Sequence, residues 1–200
     1  MQLYYSNTSP FARKTLIALI EKGLAAKTEI ISLSPVGEGA AQIQKANPLG
    51  KIPVLVTKDG LSIYDSPLIC EYVDGLSAEN RLIPLDAQSR LEALQTQALA
   101  DGIMDAAFSM VMEKRRIPIE QSAAWLERWR GAILRSMGAI SEPRLDPAHP
   151  FDIGQIAIAC ALGYVEFRLP EIAFPKAEII DFWAELSQRP SVAQTAPPKD

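Results

Sequence analysis

The sequence predicts an α/β unit of short alternating elements followed by an all-helical unit. Two observations predict it. Five of the 15 prolines fall before residue 68, whereas Pro118 alone lies between 85 and 142. Proline interrupts helices and punctuates turns, so the first stretch alternates short elements and the second has room for long helices. The apolar residues follow the same division, in short runs bounded by turn signals up to about residue 64 and at helical spacing afterwards. With 200 residues, 48% of them apolar and 22% charged, the chain has ordinary globular composition and length enough to bury a core.

The elements follow in order. Leu3-Tyr4-Tyr5 reads as a short strand. Ser9-Pro10 opens a helix, with Ser9 as N-cap and Pro10 at the first helical position. That helix carries Leu16, Ile17, Leu19 and Ile20 and stops after Lys22 at Gly23. Glu29 to Ile31 is a second strand, Ala40 to Lys45 a short helix and Ile52 to Thr57 a third strand. Lys58-Asp59-Gly60 turns into a fourth strand at Leu61 to Ile63. Ser66-Pro67 repeats the Ser-cap and Pro start for a helix through Val73. Residues 76–86 read as a linker. Long helices are expected over Gln88–Arg116 and Glu120–Met137. A third, over Asp152–Phe167, is nearly apolar all round and so central. Its start has capping-box spacing, with Asp152 at the cap and Gln155 three residues on. A helix over Lys176–Gln188 follows, and the last eleven residues read as a polar tail.

Several function classes fall away. Twenty-four acidic against twenty basic residues give a net charge of −4, which disfavours a nucleic-acid surface or a basic membrane-binding helix. The longest apolar run, Ile156 to Leu162, is far short of the roughly twenty residues a spanning helix needs. The first residues lack the basic and apolar regions of a signal peptide, so a cytoplasmic location is expected. Cys70 and Cys160 are far apart in apolar helical contexts and read as buried thiols. His149, the single histidine, lies in a loop between Pro147 and Pro150. No zinc spacing and no partners for a Ser-His-Asp triad are visible, and no metal is expected.

Three places carry candidate chemistry. Pro53 leads into a strand, where its missing N–H is a liability. A plain edge or turn proline explains it; so does a cis bond that turns the Ile52 backbone outward to pair with an extended ligand. Ser9 is sufficient as an N-cap, and the same geometry lets its hydroxyl donate to an anion that the helix terminus already favours. A substrate thiolate is one such anion, because Ser9 has no neighbouring base to make it a nucleophile. Asp65 suits an ammonium, and Ser66, read as the next N-cap, suits a carboxylate. Together they fit the zwitterionic end of an amino acid. Arg13-Lys14 can be read as an anion site, but on the first turns of a helix such a pair is more often a solvated or salt-bridged face.

In combination, Ser-Pro-Phe-Ala-Arg-Lys at 9–14, Asn-Pro-Leu-Gly-Lys-Ile-Pro-Val-Leu at 47–55 and Asp-Ser-Pro-Leu-Ile-Cys-Glu-Tyr at 65–72 resemble the thioredoxin-like domain of the glutathione S-transferase family. Ala-Asp-Gly-Ile-Met-Asp-Ala at 100–106 and Ile-Ala-Ile-Ala-Cys-Ala at 156–161 resemble a bacterial branch of that family. The resemblance implies a thioredoxin-like α/β domain over 1–76 and an all-α domain over 87–200. It implies that Ser9 stabilises the glutathione thiolate, with Ser6 and Thr8 as neighbouring hydroxyls able to take that place. Phe11 walls the sulfur pocket. Ile52, ahead of cis Pro53, pairs with the cysteinyl part, and Asp65 and Ser66 hold the γ-glutamyl end. Lys51 reaches for the glycyl carboxylate. The chain departs from the family at Gln155, where an Asp usually ends the capping box; Gln155 is expected to reach back to the cap N–H.

The implied function is a glutathione transferase that joins the tripeptide to a small hydrophobic electrophile, in the manner of a detoxification enzyme. Met104, Phe108 and Met112 are candidates for the electrophile pocket between the domains, and core packing is the alternative. Two further readings stand beside it: a glutathione-binding protein with little turnover, and a glutathione-dependent disulfide reductase, which Ser9 in place of cysteine disfavours. The resemblance also implies a homodimer. The helix beginning near Gln88 is consistent, since Leu91, Leu94, Ala98 and Leu99 form one apolar stripe and Ala93, Ala100 and Ile103 a second.

Overall fold

The computed structural model describes residues 1–146 and 148–198. Pro147 of the His149 loop, and Lys199 and Asp200 of the expected tail, lie outside the described residues. The first part contains β1 (Gln2–Tyr5), α1 (Pro10–Glu21), β2 (Glu29–Ser32), α2 (Ala40–Ala46), β3 (Val54–Val56), β4 (Ser62–Ile63) and α3 (Ser66–Gly75). The strands form one mixed sheet in the order β2-β1-β3-β4, with β1 parallel to β2 and β3 antiparallel to both β1 and β4. Side chains alternate across a strand, and the sheet is covered on both faces. Leu3, Tyr5 and Leu55 join the main core with α1 and α3, whereas Tyr4 and Val54 pack with Ile43 of α2 on the other side. This is the thioredoxin-like arrangement.

α1 ends where the sequence places its end. Gly23 takes φ +66, and the Leu24 N–H returns to the Leu19 carbonyl at 2.8 Å. A left-handed residue after a helix is what glycine supplies without a Cβ penalty. The segment expected as a linker is tied down. Lys22 Nζ donates to Asp74 at 3.1 Å and to the Ser77 carbonyl at 2.9 Å, the Leu82 N–H donates to Asp74 at 2.8 Å, and Leu82 and Ile83 are buried.

The second part contains α4 (Ala87–Lys114), α5 (Ala123–Gly138), α6 (Ile153–Arg168), α7 (Ala177–Leu186) and α8 (Pro190–Ala193). α4 starts at Ala87 because the Asp86 carboxylate accepts from the Ser89 N–H at 2.9 Å. The expected helix from Glu120 begins instead at Ala123. Pro118–Glu120 is a 3-10 turn, and Ser122 is the true cap. α6 is buried on every side from Ile153 to Val165 and packs chiefly on α4. Close approach requires Gly154: a Cβ there would lie 2.9 Å from Thr96 Cβ and 3.1 Å from the Ala93 carbonyl oxygen.

Two expectations are corrected. The last residues are not a free polar tail. Ser191, Val192 and Thr195 are buried, and Arg189 Nε and Nη2 grip the Glu21 carboxylate of α1 at 2.8 Å each. Partners about 170 residues away in the chain hold this segment, so local composition could not reveal it. Gln155 does not reach back to the cap N–H. Asp152 caps α6 by accepting from the Gln155 N–H at 3.1 Å, while Gln155 Nε2 approaches the carbonyls of Arg144 and Asp146 at 3.4 and 3.5 Å. The Asp152 N–H is already bonded to the Pro150 carbonyl at 2.8 Å, which removes the need.

Candidate functional site

Strand register brings the three sequence motifs to one end of the sheet. β3 runs antiparallel to β1 with Val54 opposite Tyr4, so Pro53 and Ile52 lie beside the end of β1, where residues 6–9 lead into α1. β4 returns with Ile63 opposite Leu55, which delivers Asp65 and Ser66 to that same end. The ladder with β1 starts only at Val54, leaving the Ile52 backbone outside it. The Ile52–Pro53 bond is cis, and the Tyr64–Asp65 bond is cis as well.

Ser9 is the half-buried N-cap of α1, and its Oγ accepts from the Ala12 N–H at 3.2 Å. A hydroxyl has two acceptor lone pairs and one proton, so capping leaves the Ser9 proton free to donate. Ser6 and Thr8 are engaged with each other at 3.2 Å. That contact does not remove them from the loop, but Ser9 is the hydroxyl set on the helix terminus. Phe11 is half-buried against the main core.

At α3 the cap differs from the sequence reading. Asp65 is the N-cap, with extended backbone and no side-chain cap bond, and Ser66 is the first helical residue. Ser-Pro fits either position, since Pro67 is tolerated anywhere in the first turn. Asp65 is exposed and Ser66 buried, and among the described residues neither side chain makes a hydrogen bond. Both are therefore available to a ligand. Lys51 is exposed nearby, with its carbonyl held by Asn47 Nδ2 at 2.9 Å.

Of the solvated or salt-bridged face expected at Arg13-Lys14, the salt bridge is present at Lys14 and the solvation is not. Both are buried: Lys14 Nζ lies 2.7 Å from each carboxylate oxygen of Asp101, and Arg13 Nη2 donates to the Val192 carbonyl at 2.9 Å. Sequence reasoning missed Asp101 and Asp105 as site groups. Burial raises the pKa of Asp101 against the pull of Lys14, and desolvation raises that of Asp105 against Lys51 and Lys14, with the Asp65 charge adding to both. Asp101 is thus spent on Lys14, while Asp105 lies within electrostatic reach of Lys51, before β3, and of Asp65, after β4. The Ala-Asp-Gly-Ile-Met-Asp-Ala run was the available signal, but only tertiary packing shows which way its acids face.

The Met104, Phe108 and Met112 stripe divides between the two readings. Met104 is fully buried core, while Phe108 and Met112 are exposed at 47% and 41%. Steps of four residues rotate about 40° each, so the three share one broad face, and what separates them is that the core covers Met104 and leaves Phe108 and Met112 uncovered. Cys70 and Cys160 are buried as expected, and burial pushes their thiols up to about 12 and about 11.

At the start of α1, Asn7, Ser9, Arg13, Cys160, Tyr164 and Pro197 close around a crevice with no room for a water-sized group. A larger cleft of about 380 Å³ lies among His149, Phe151, Gln155, Phe182 and Arg189, and contains none of the residues expected at the site. Among the described residues no group of three or more His, Cys, Asp or Glu is placed to hold a metal ion. No helix there is long and apolar enough to cross a membrane.

Known proteins repeat this arrangement. The glutathione S-transferase N-terminal domain profile matches residues 8–76. The uncharacterized GST-like protein YibF of Escherichia coli (strain K12) is 39% identical over 206 residues, spanning 100% of each chain. A crystal structure of a glutathione transferase family member from Pseudomonas fluorescens Pf-5, with bound glutathione, superposes with a TM-score of 0.92 at 38% identity, covering 99% of each chain. A second structure from that organism, with bound S-(propanoic acid)-glutathione, gives a TM-score of 0.89 at 36% identity over 100% of both. Sequence likeness over the full length and the shared fold agree: the chain belongs to the glutathione S-transferase family.

Proposed function

We propose that this protein is a glutathione transferase that binds glutathione, holds its thiol as the thiolate, and joins it to a small electrophile. The observation that carries the reading is the set of unspent polar groups at one end of the sheet. The Ser9 hydroxyl has a free proton at a helix N-terminus, the Ile52 backbone stands outside its ladder, and the Asp65 carboxylate and Ser66 hydroxyl have no partners among the described residues. These match the thiol, the cysteinyl amide and the zwitterionic γ-glutamyl end in that order, with Lys51 for the glycyl carboxylate and Phe11 against the sulfur. Residues 1–76 act as the glutathione-binding domain and 87–200 as the domain that completes the electrophile pocket. The 36%-identical relative bound to S-(propanoic acid)-glutathione supports a pocket that accepts a small substituent on sulfur.

In the reaction the thiolate sulfur, its proton having passed to solvent when glutathione ionised, forms a bond to the electrophilic carbon. That carbon's bond to a leaving group breaks and the pair departs with the group, or a π bond opens and the resulting anion takes a proton from solvent. Ser9 and the α1 terminus hold the anion before attack. The protein functions as a cytoplasmic homodimer. Calorimetric titration with glutathione, run beside a panel of model electrophiles, tests the reading. Binding with turnover supports it, binding without turnover leaves a glutathione-binding protein, and no binding removes it.

A further inference from the structure

We propose that the cleft of about 380 Å³ at the first turn of α6 is a second small-molecule site, and that its ligand is an organic ammonium ion on a small aromatic or apolar body. The volume falls within the range of small-molecule pockets, roughly 300–1,000 Å³. None of the residues assigned to glutathione lines it, so the inference stands apart from the transferase reading. Gln155, in the cleft, stands nine residues before Tyr164, which borders the closed crevice beside Ser9. At about 1.5 Å per residue that is about 14 Å along α6. Two features that the glutathione site leaves unused meet in the cleft: the single histidine of the chain, and the Gln155 amide, which the capping of α6 does not need.

The walls select the charge. Phe182 of α7 is buried and Phe151 half-buried, which gives the cleft an apolar side for a ligand body. The polar groups around it are mostly unused acceptors. His149 Nδ1 lies 2.8 Å from the Pro150 carbonyl, which can only accept, so in the neutral ring Nδ1 carries the proton and Nε2 keeps its lone pair. Gln155 is 2% exposed; its Nε2 approaches the carbonyls of Arg144 and Asp146, and its Oε1 has no hydrogen-bond partner among the described residues. Glu185 is exposed on α7, and no ion pair among the described residues uses its carboxylate. The cation at the cleft is already paired: Arg189 gives Nε and Nη2 to Glu21 at 2.8 Å each, and its guanidinium lies 3.8 Å from the centre of the Phe151 ring. Three acceptors, one of them a full negative charge, beside a neutralised guanidinium favour a cation that donates several hydrogen bonds. An ammonium group has three such protons. The loop that carries His149 is held in place beforehand. The Asp146 carboxylate accepts from the Ala148 N–H at 2.8 Å, and the Pro150 carbonyl also accepts from the Asp152 N–H at 2.8 Å, so binding has little ordering of the imidazole left to do.

Because the chain has one histidine, the imidazole Cε1–H proton resonance reports on this cleft in the unmodified protein. Three probes share a phenyl ring on a two-carbon arm and differ in the head group: 2-phenylethylammonium, 2-phenylethanol and 3-phenylpropionate, each titrated at pH 8. The ammonium should shift the resonance saturably with a Kd of about a millimolar, which is what so small a ligand reaches. The alcohol should bind about fivefold more weakly, and the carboxylate should give no saturable shift. Glu185→Gln, a change at an exposed position, should bring the ammonium to the affinity of the alcohol and leave the alcohol unchanged. Glutathione added to the same sample should not displace the ammonium, and its own calorimetric titration tests the transferase reading separately. Equal affinities for the three probes would reduce the cleft to an apolar slot and overturn the inference. No shift with the ammonium up to about 20 mM, well above the expected Kd, would overturn it as well. So would a Glu185→Gln protein that still prefers the ammonium, or competition by glutathione.

Discussion

Replacing Ser9 by alanine separates two roles of one hydroxyl. As N-cap, Ser9 Oγ accepts from the Ala12 N–H at 3.2 Å, and losing such a cap costs about 1 kcal/mol. For a chain of this length that lowers Tm by roughly 2–4 °C. As thiolate partner, Ser9 donates its remaining proton. A hydrogen bond to a charged group contributes about 1.5–3 kcal/mol, equivalent to roughly one to two pKa units. A thiol of reference pKa about 8.5, lowered that far, is half ionised close to neutrality. Ser9→Ala should therefore raise the pKa of bound glutathione by roughly one to two units and slow conjugation about tenfold near pH 6.5. Above pH ~9 the two proteins should converge, because both thiols are then ionised. Glutathione affinity should change little, since the tripeptide's other contacts lie elsewhere. The assay is the pH dependence of kcat together with the thiolate difference spectrum of bound glutathione, and a melting curve measures the cap separately. If Tm falls while the pH midpoint stays in place, the hydroxyl is a cap only. Equal losses of binding and rate would assign it to uniform binding. Ser9→Thr, which keeps a hydroxyl, should restore both quantities in large part.

Gly154→Ala should destabilise by about 1–3 kcal/mol through overpacking, less the ~1 kcal/mol of helix propensity that alanine restores. The Ala93 backbone at 3.1 Å cannot give way, so a rise in Tm would refute the close-approach argument, and Thr96→Ala should relieve part of the loss. Glu21 is pushed up by burial, but hydrogen bonds from Arg189 and Ser191 outweigh this and hold its pKa below the ordinary 4.5. The stability it contributes is present above pH 4.5 and lost as pH falls through the lowered folded-state value. Acid unfolding of Glu21→Gln should lack that component, and unchanged acid profiles in the two proteins would contradict it. Leu91 is 60% exposed and no member of its stripe (Leu91, Leu94, Ala98, Leu99) is fully buried, and a two-fold interface would cover it. Light scattering should give about twice the 21.9 kDa chain mass, whereas a mass near one chain refutes the dimer.

Much of this protein is legible in its sequence because the signals are local. Ser9-Pro10 and Gly23 bracket α1 through cap geometry that needs no tertiary contact. Asp152 caps α6, and the all-round apolar character of Ile153 to Val165 announces a buried helix. The three motifs around Ser9, Pro53 and Asp65, in order and spacing, point to the family. Errors gather where a residue's neighbour is distant in the chain. The tail is anchored by Glu21 and Arg13, Gln155 turns to carbonyls at 144 and 146, and Met104 is taken into the core by the helices packed over it. Sequence alone thus determined the elements and the family, since caps, turns and periodicity depend on residues within a few positions of one another. Only the tertiary structure decided which charges meet. The pairing of Lys14 with Asp101, and the burial of Arg13 without an ion pair among the described residues, follow from how α1, α4, α6 and α8 pack. Coulombic and desolvation energies depend on separations in space that one-dimensional spacing does not encode.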